Sequence, residues 1–589
     1  MTISNILIYR KTTPTDHPEA NYRPLNPDET VLQAGYRHAK GAMPLSCDII
    51  RERDVALTMR DGVTLYANVF RPATDDPVPA IINWAPYGKG GTGFWALDNS
   101  ATFPNRFGIK RSALSGLESW EACDPAYWCA HGFAIVQIDA RGGFNSEGDI
   151  WFLNRGEGLD VHDSIEALAT LDWCSGKIGM AGNSWLAMQQ WRGGEERPPH
   201  LAALAPWEGL TDPYRDTTVL GGIPDLDFAC FIRDKMFGHT RVVDIEAMVK
   251  EHPLFDEYWQ DCCPEVSRIE VPTYVVASYT NALHAAGTIR GWYELTAPKW
   301  LRIHNSQEWP DFYAPENVED LRRFFDRYLK GIENGWEDTP QVRLSILDPG
   351  HKDSVNQVED AFPPNDTSAH ELFLNAKTGT LENSASSVPA AVSYAPRDKH
   401  PTASFDWVLD RDIEVFGAPM VTLYTSVEGA EDMDVHVWIE KLDRRGRRVF
   451  HQVTDLGLPL GRWWMPKVFK LGAKPVAPAI FRGAHGRVRA SRRGLDETAH
   501  PDLPRLALTQ ETPLPNDGPV ELQIPLTPIG MRWHAGETLR LNVSALSPLP
   551  LLLPGLPEPE PSAGDLHHIH TGGTLNARLN FRVRPATRT

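Results

Sequence analysis

One stretch of this sequence has the residue types and spacing for covalent catalysis. Lys177-Ile178-Gly179-Met180-Ala181-Gly182-Asn183-Ser184-Trp185 runs from a short apolar segment into Gly-x-Ser, and a helix-compatible segment begins at once. A serine on a tight strand-to-helix turn is lifted above the sheet, and a small residue two positions earlier avoids a clash. The chemistry implied is acyl transfer, with the hydroxyl attacking a carbonyl carbon and forming a covalent intermediate. The second glycine usual in such turns is missing, because Leu186 stands two residues after the serine. Gly-x-Ser alone more often marks a solvated turn.

Other chemistry-bearing residues read as structural. Asp139 and Arg141 sit together in Asp-Ala-Arg-Gly and read as a buried ion pair beside the turn. His567, His568 and His570 are compact enough to suggest a metal. No carboxylate or Cys stands at ligand spacing, so a loop before the last strand is the simpler account. Arg482, Arg487, Arg489, Arg492 and Arg493 form a basic run that reads as an inter-domain or subunit contact.

The elements around the serine follow a rhythm. Residues 1–50 are polar and irregular, an N-terminal arm. Residues 55–59 and 63–72 alternate apolar and polar positions around Asp61-Gly62, a β-hairpin signal. Buried-strand patterns recur at 77–86, 132–140, 177–183, 200–206, 271–279 and 299–304, and helical patterns fall between several of them. Strands alternating with helices predict parallel βαβ units. Residues 91–128 carry Trp, Phe and Gly without periodicity. Residues 207–265 interrupt the rhythm with aromatic-rich, helix-compatible segments, a helical cap insertion. An amphipathic helix at 317–330 closes the region. Beyond about residue 345, short strands separated by Gly and Pro predict an antiparallel β-sandwich or jelly roll. The expected division is an arm at 1–50, an α/β domain at 51–206 and 266–345, a cap at 207–265 and a jelly roll at 346–589.

Composition narrows the function. At roughly 150 residues per domain, 589 residues make three or four domains. Lys plus Arg is 58 against 77 Asp plus Glu, a net charge of −19, which argues against nucleic-acid or anionic-membrane binding. Apolar residues at 42% exclude wholesale disorder. The sequence lacks an apolar run long enough to span a bilayer and a visible secretory signal. Seven dispersed Cys read as reduced thiols of a cytoplasmic protein. The 19 Trp are a surplus, and several fall beside the candidate turn.

Residues 60–73, 85–91, 138–149 and 171–185 together resemble the CocE/NonD hydrolases, which are cocaine esterase-like relatives of the bacterial X-Pro dipeptidyl peptidases and the cephalosporin acylases. The block from Trp173-Cys174 to Ser184-Trp185 carries the most specific match, and residues 417–442 and 487–497 extend it into the C-terminal region. The resemblance implies an α/β-hydrolase core, an inserted helical cap, a C-terminal jelly roll and a cofactor-free, metal-free acyl-transfer mechanism. It makes Ser184 the nucleophile. The Trp185 backbone N–H and the Tyr87 phenol become the oxyanion donors, each worth on the order of 3 kcal/mol when aimed at a developing alkoxide.

The other two triad positions depart from that family. The acid position falls on Asn281 and the histidine position on Gln307, or on Glu308 if the loop is one residue longer. An amide can orient a ring but cannot stabilise an imidazolium by charge. Glutamine has no titratable group, and glutamate needs a raised pKa to serve as a base. His304 or His284 could instead act as base, with Glu208, Asp212 or Glu308 as partner. The sequence-based expectation is a serine hydrolase cleaving a carboxylic ester or amide of a small molecule, possible as a homo-oligomer. The alternative is an inactivated His-to-Gln variant that keeps bound substrate intact, or a non-hydrolytic member that binds or rearranges a small molecule. Carbohydrate binding by the jelly roll rests on fold analogy alone.

Overall fold

The computed structural model describes residues 7–90, 92–99, 106–454, 479–515, 518–549 and 560–586. Its N-terminal half is built on an 11-stranded sheet. In chain order the strands are β1 (Asp28–Leu32), β2 (Ile49–Thr58), β3 (Thr64–Pro72), β4 (Val78–Ala85), β5 (Ala134–Asp139) and β6 (Cys174–Asn183). They continue with β7 (Leu201–Trp207), β8 (Thr273–Ser278), β9 (Lys299–His304), β10 (Val342–Ile346) and β11 (Ser354–Glu359). Their order across the sheet is β11-β10-β9-β8-β7-β6-β4-β5-β3-β2-β1. The run from β10 to β5 is parallel, and the strands outside it pair antiparallel.

Parallel strands covered on both faces need continuous apolar runs, and β4, β5 and β8 are buried along their whole length. Helices α1 (Arg155–Ala169), α2 (Trp185–Glu195), α3 (Ala285–Glu294), α4 (Glu308–Phe312) and α5 (Pro315–Lys330) cover the sheet. Close approach of α2 depends on two glycines: a Cβ at Gly193 would meet Val161 of α1, and one at Gly194 would lie 2.8 Å from Leu204 of β7. On its inner face α5 buries Leu321, Phe324, Phe325 and Leu329. Each such side chain stabilises the fold by about 1.5–3 kcal/mol. A proline in the first turn of α5 and left-handed Gly331 after its end set its limits.

The cap over residues 207–265 holds helices Asp227–Asp234, Ile245–Glu251 and Glu257–Asp261. It also carries short strands, so it is not purely helical. One of these, Arg241–Val243, pairs with Tyr9–Lys11. The arm is thus partly ordered as β-structure, strapping the cap and supplying edge strand β1. The expected boundary at 345/346 also moves, because β11 at 354–359 still belongs to the first sheet.

The C-terminal region forms a 13-stranded, almost wholly antiparallel β-structure. Its longest strand, Ile413–Glu428, shifts register between Phe416 and Met420 at left-handed Gly417. Through that bend it pairs with Val520–Pro525, Ile529–Trp533, Leu566–Thr571 and Arg578–Pro585. This is how one strand serves both layers of a sandwich.

Two expectations about polar residues change here. His567, His568 and His570 lie on the strand Leu566–Thr571 rather than on a loop, and they bond to Ala563, Ser393 with Glu428, and Ser426 respectively. Asp139 and Arg141 do not pair with each other. Asp139 binds Lys89 at 2.8 Å, whereas Arg141 binds Asp160 at 2.6 Å and Asp61 at 2.9 Å. Asp139 is the last residue of β5 and Arg141 lies beyond its end, where the chain has turned toward Asp61 and toward Asp160 of α1. The basic run does face the cap: Arg487 pairs with Asp225, and Arg492 donates to the Gly222 and Pro253 carbonyls.

Candidate active site

Ser184 is the junction between β6 and α2, with φ 55° and ψ −120°, a left-handed backbone that a non-glycine residue holds only under constraint. The constraint comes from both sides. Its N–H donates to the Glu208 carbonyl at 3.2 Å, and its own carbonyl accepts from Met188 at 2.9 Å. Gly182 has φ 128°, and a Cβ there would lie 2.6 Å from Leu186. A Cβ on Gly209 would lie 2.5 Å from that of Ala187. Leu186 therefore occupies the place usually left to a second glycine, because the tolerance for close packing has moved to Gly182 and Gly209.

Tyr87 follows the end of β4, with its phenol close enough to the Ser184 side chain to feel it. Burial first, and then the nearby carboxyls Glu121 and Glu308, push the phenol pKa well above the ordinary tyrosine value, and the Ser184 side chain works against that rise. Tyr87 therefore stays a protonated donor. Its ring meets the Trp185 indole edge-on at 6.5 Å between centroids. Trp185 supplies the first N–H of α2, one of the four that a helix leaves without an intrahelical partner.

Asn281 lies in the loop between β8 and α3. Its Oδ1 accepts from the backbone N–H groups of Leu283 and His284, at 3.0 and 3.3 Å. That fixes the amide orientation and points Nδ2 at two carboxyls, Glu208 at 2.8 Å and Glu308 at 3.0 Å. An aspartate here would face two more carboxyls, so the amide is the group that fits.

Gln307 caps α4 by accepting from the Trp309 N–H at 2.8 Å, which turns its Nε2 toward Glu308 at 3.4 Å. Glu308 is the first residue of α4 and is only partly buried. Burial, then Glu208 and Glu121, drive its pKa well above the usual carboxylate range, and the Asn281 bond lowers it.

The two candidate histidines differ in their surroundings. His304, at the end of β9, is buried, and its Nε2 is hydrogen-bonded to Glu208. Its Nδ1 meets Ser306 at 3.4 Å and Asp311 at 3.7 Å, and Asp311 in turn binds Arg302. His284 is also buried, its pKa is pushed down to about 4 mainly by desolvation, and its Nδ1 has no hydrogen-bond partner. His304 is held by Glu208, and His284 is a buried imidazole whose pKa lies below the ordinary value. Of the partners expected for such a base, Glu208 does bind His304. Asp212 instead holds Arg215 at 2.6 Å.

Two acidic residues complete the site. Glu208 has φ 54°, and its N–H donates to the Val276 carbonyl at 2.7 Å. Its carboxylate also accepts from the Ser278 hydroxyl at 3.0 Å. Glu121 has φ 64° and is 3% exposed. Its carbonyl accepts from the Asn183 N–H at 3.4 Å, and its Oε1 from the Trp309 indole at 2.7 Å. Its Oε2 has no partner, and burial pushes its pKa up to about 8. Glu121 was missed by sequence reasoning, since it lies in the aperiodic excursion, where no spacing signals a role. Three strained residues, Glu121, Ser184 and Glu208, thus meet at one turn.

Among the described residues, the one metal-type cluster, Asp348 with His351 and His534, lies away from Ser184 at the seam with the sandwich. There Lys441 already lies 2.9 Å from both Asp348 and Glu537 and supplies the positive charge. Around Ser184 the site gathers the Tyr87 phenol, the first N–H of α2 and three carboxyls, Glu121, Glu208 and Glu308.

The chain is similar to known hydrolases in sequence and fold. Residues 61–245 match the X-Pro dipeptidyl-peptidase (S15 family), and residues 334–580 match the X-Pro dipeptidyl-peptidase C-terminal non-catalytic domain. Cocaine esterase of Rhodococcus sp. (strain MB1 Bresler) is 29% identical over 422 residues, 59% of this chain and 68% of that protein. A CocE/NonD family hydrolase from Staphylococcus aureus superposes with TM-score 0.83 at 30% identity, covering 96% of this chain and 97% of that one. An α-amino acid ester hydrolase shares the fold at TM-score 0.66 and 17% identity, over 97% of this chain and 100% of its own.

Proposed function

The chain belongs to the CocE/NonD hydrolase family, and we propose that it cleaves a carboxylic ester or amide through an acyl-enzyme on Ser184. The observation that carries this reading is the strained Ser184 turn with its side chain close to the Tyr87 phenol. Attack by the serine oxygen moves charge onto the substrate carbonyl oxygen. That oxygen takes up hydrogen bonds from Tyr87 and from the Trp185 N–H as it becomes an alkoxide, and both donors are in place beforehand. Collapse expels the alcohol or amine, and water then releases the acid. Similarity to an esterase and an α-amino acid ester hydrolase supports a small acyl substrate.

A fluorophosphonate should label Ser184, read as a mass shift on its tryptic peptide. The protein should also turn over p-nitrophenyl esters, and Ser184→Ala should abolish this. An unlabelled serine in a folded protein that still hydrolyses these esters would sink the assignment. A second reading, a hydrolase arrested by Gln307, is favoured by one observation: both His304 nitrogens are taken. Under it, labelling is absent in the natural chain and appears in Gln307→His.

A further inference from the structure

We propose that the carboxyl of Glu308 is the proton acceptor for Ser184, taking the place of an imidazole, with Asn281 and Gln307 as its positioning residues. This inference rests on the acyl-enzyme reading of Ser184. The site requires some group to take the serine proton, and its other carboxyls and its histidines are buried. His304 has both nitrogens engaged, and His284 is buried. Glu208 is 1% exposed and is surrounded by His304, Ser278 and Asn281. Glu121 is buried and tied to the Trp309 indole. Only Glu308 combines a carboxyl with partial exposure, and it shares that partial exposure with Ser184, Tyr87 and Asn281. Glu121, Glu208, His284, His304 and Gln307 are buried. Glu308 is also close enough to the Tyr87 phenol, which lies close to Ser184, for its charge to act there.

The supporting shell has the logic of a triad with its members changed. Asn281 donates to Glu308, and its other N–H donates to Glu208; Glu208 pairs with His304, and His304 lies against Asp311 and Arg302. A histidine base is oriented by an acid that accepts its N–H. A carboxyl base needs the reverse, a donor that holds it without adding charge. Asn281 and Gln307 are both donors toward Glu308, so the two departures from the family pattern are consistent with each other.

The reaction balances on this chain's groups, the substrate and water. The Ser184 O–H bond breaks, its proton moves to ionised Glu308, and the oxygen bonds to the carbonyl carbon. The bond to the leaving group breaks, and that group takes the proton from Glu308. Water then gives a proton to Glu308 as it attacks the acyl carbon, and the freed serine oxygen recovers that proton.

The test is the pH profile of kcat/KM for a p-nitrophenyl ester. Because burial and then the neighbouring carboxyls raise the Glu308 pKa above the ordinary range, activity should rise with pH through a single limb above that range. The charged or titrating neighbours Glu121, Glu208, His284, His304 and Tyr87 will contribute to its position. Glu308→Gln should lower kcat by roughly 10²- to 10⁴-fold with little change in KM and flatten the limb. Glu308→Asp should restore part of the rate with a displaced limb, which separates lost chemistry from lost fold. Asn281→Ala should move the limb to higher pH, since the bond it removes favours the ionised form. Natural kcat and an unchanged limb in Glu308→Gln, with Ser184→Ala inactive, would overturn this inference and leave the acyl-enzyme standing. Activity surviving in Ser184→Ala would overturn both.

Discussion

Glu121 offers a direct measure of how much strain the site holds. Its carboxyl is 3% exposed, and its pKa is raised from 4.5 to about 8, first by burial and then by Glu208. A raised carboxyl pKa means that the unfolded chain ionises first. The stability associated with protonated Glu121 is therefore complete below pH 4.5 and is lost as pH rises toward 8. Between pH 5.5 and 7.5 the loss is about 1.8 protonation units, or about 2.5 kcal/mol as an upper bound. Glutamine keeps the acceptor for the Trp309 indole and removes the titration. Glu121→Gln should then be close to the natural protein at pH 5.5 and the more stable of the two at pH 7.5. Thermal melts at several pH values should show the gap in Tm widening with pH by up to roughly 5–10 °C, at about 2–4 °C per kcal/mol for an unfolding domain of about 150–250 residues. Comparing variant with natural protein cancels the other groups that titrate in this range. A gap that does not change with pH would mean that Glu121 is already ionised or is solvated in the fold, and the strained-site argument would fail with it.

Two further outcomes follow from the same geometry. Tyr87→Phe removes one oxyanion donor and should lower kcat on p-nitrophenyl esters by roughly 10²- to 10³-fold. An unchanged kcat would take Tyr87 out of the oxyanion hole. His304→Ala leaves the buried Glu208 carboxylate without its partner and should destabilise the protein by about 3–5 kcal/mol, measured by denaturant or thermal unfolding. A loss of activity with unchanged stability would instead mark His304 as part of the chemistry.

The legible parts of this protein were the ones carried by local pattern. Continuous apolar runs foretold β4, β5 and β8, because two-sided burial demands apolar side chains at successive positions. Gly182-Asn183-Ser184 foretold the turn, because few residues tolerate that backbone beside a helix start. Glu121 was illegible because it is brought to the site by a long aperiodic excursion and meets Trp309 across 188 residues of chain. The arm was misread because Asp28–Leu32 and Tyr9–Lys11 become strands only against partners at Ile49–Arg53 and Arg241–Val243. Edge pairing of that kind leaves little mark in a short polar segment.

From residue types and their order came a parallel βαβ sheet, an insertion in it, a β-rich C-terminal region and a strand-to-helix turn at Ser184, which the family resemblance made a hydrolase core and a candidate nucleophile. These depend on backbone preference and on which side chains avoid water, both written locally. Only the tertiary structure decided what surrounds the nucleophile. It tied His304 to Glu208 and set the Asn281 amide between two carboxyls. It also left Glu308 partly exposed and bonded to Asn281. Those assignments depend on electrostatics at a few ångströms between residues tens to hundreds of positions apart. Proton affinity is a property of that neighbourhood, and linear order does not specify it.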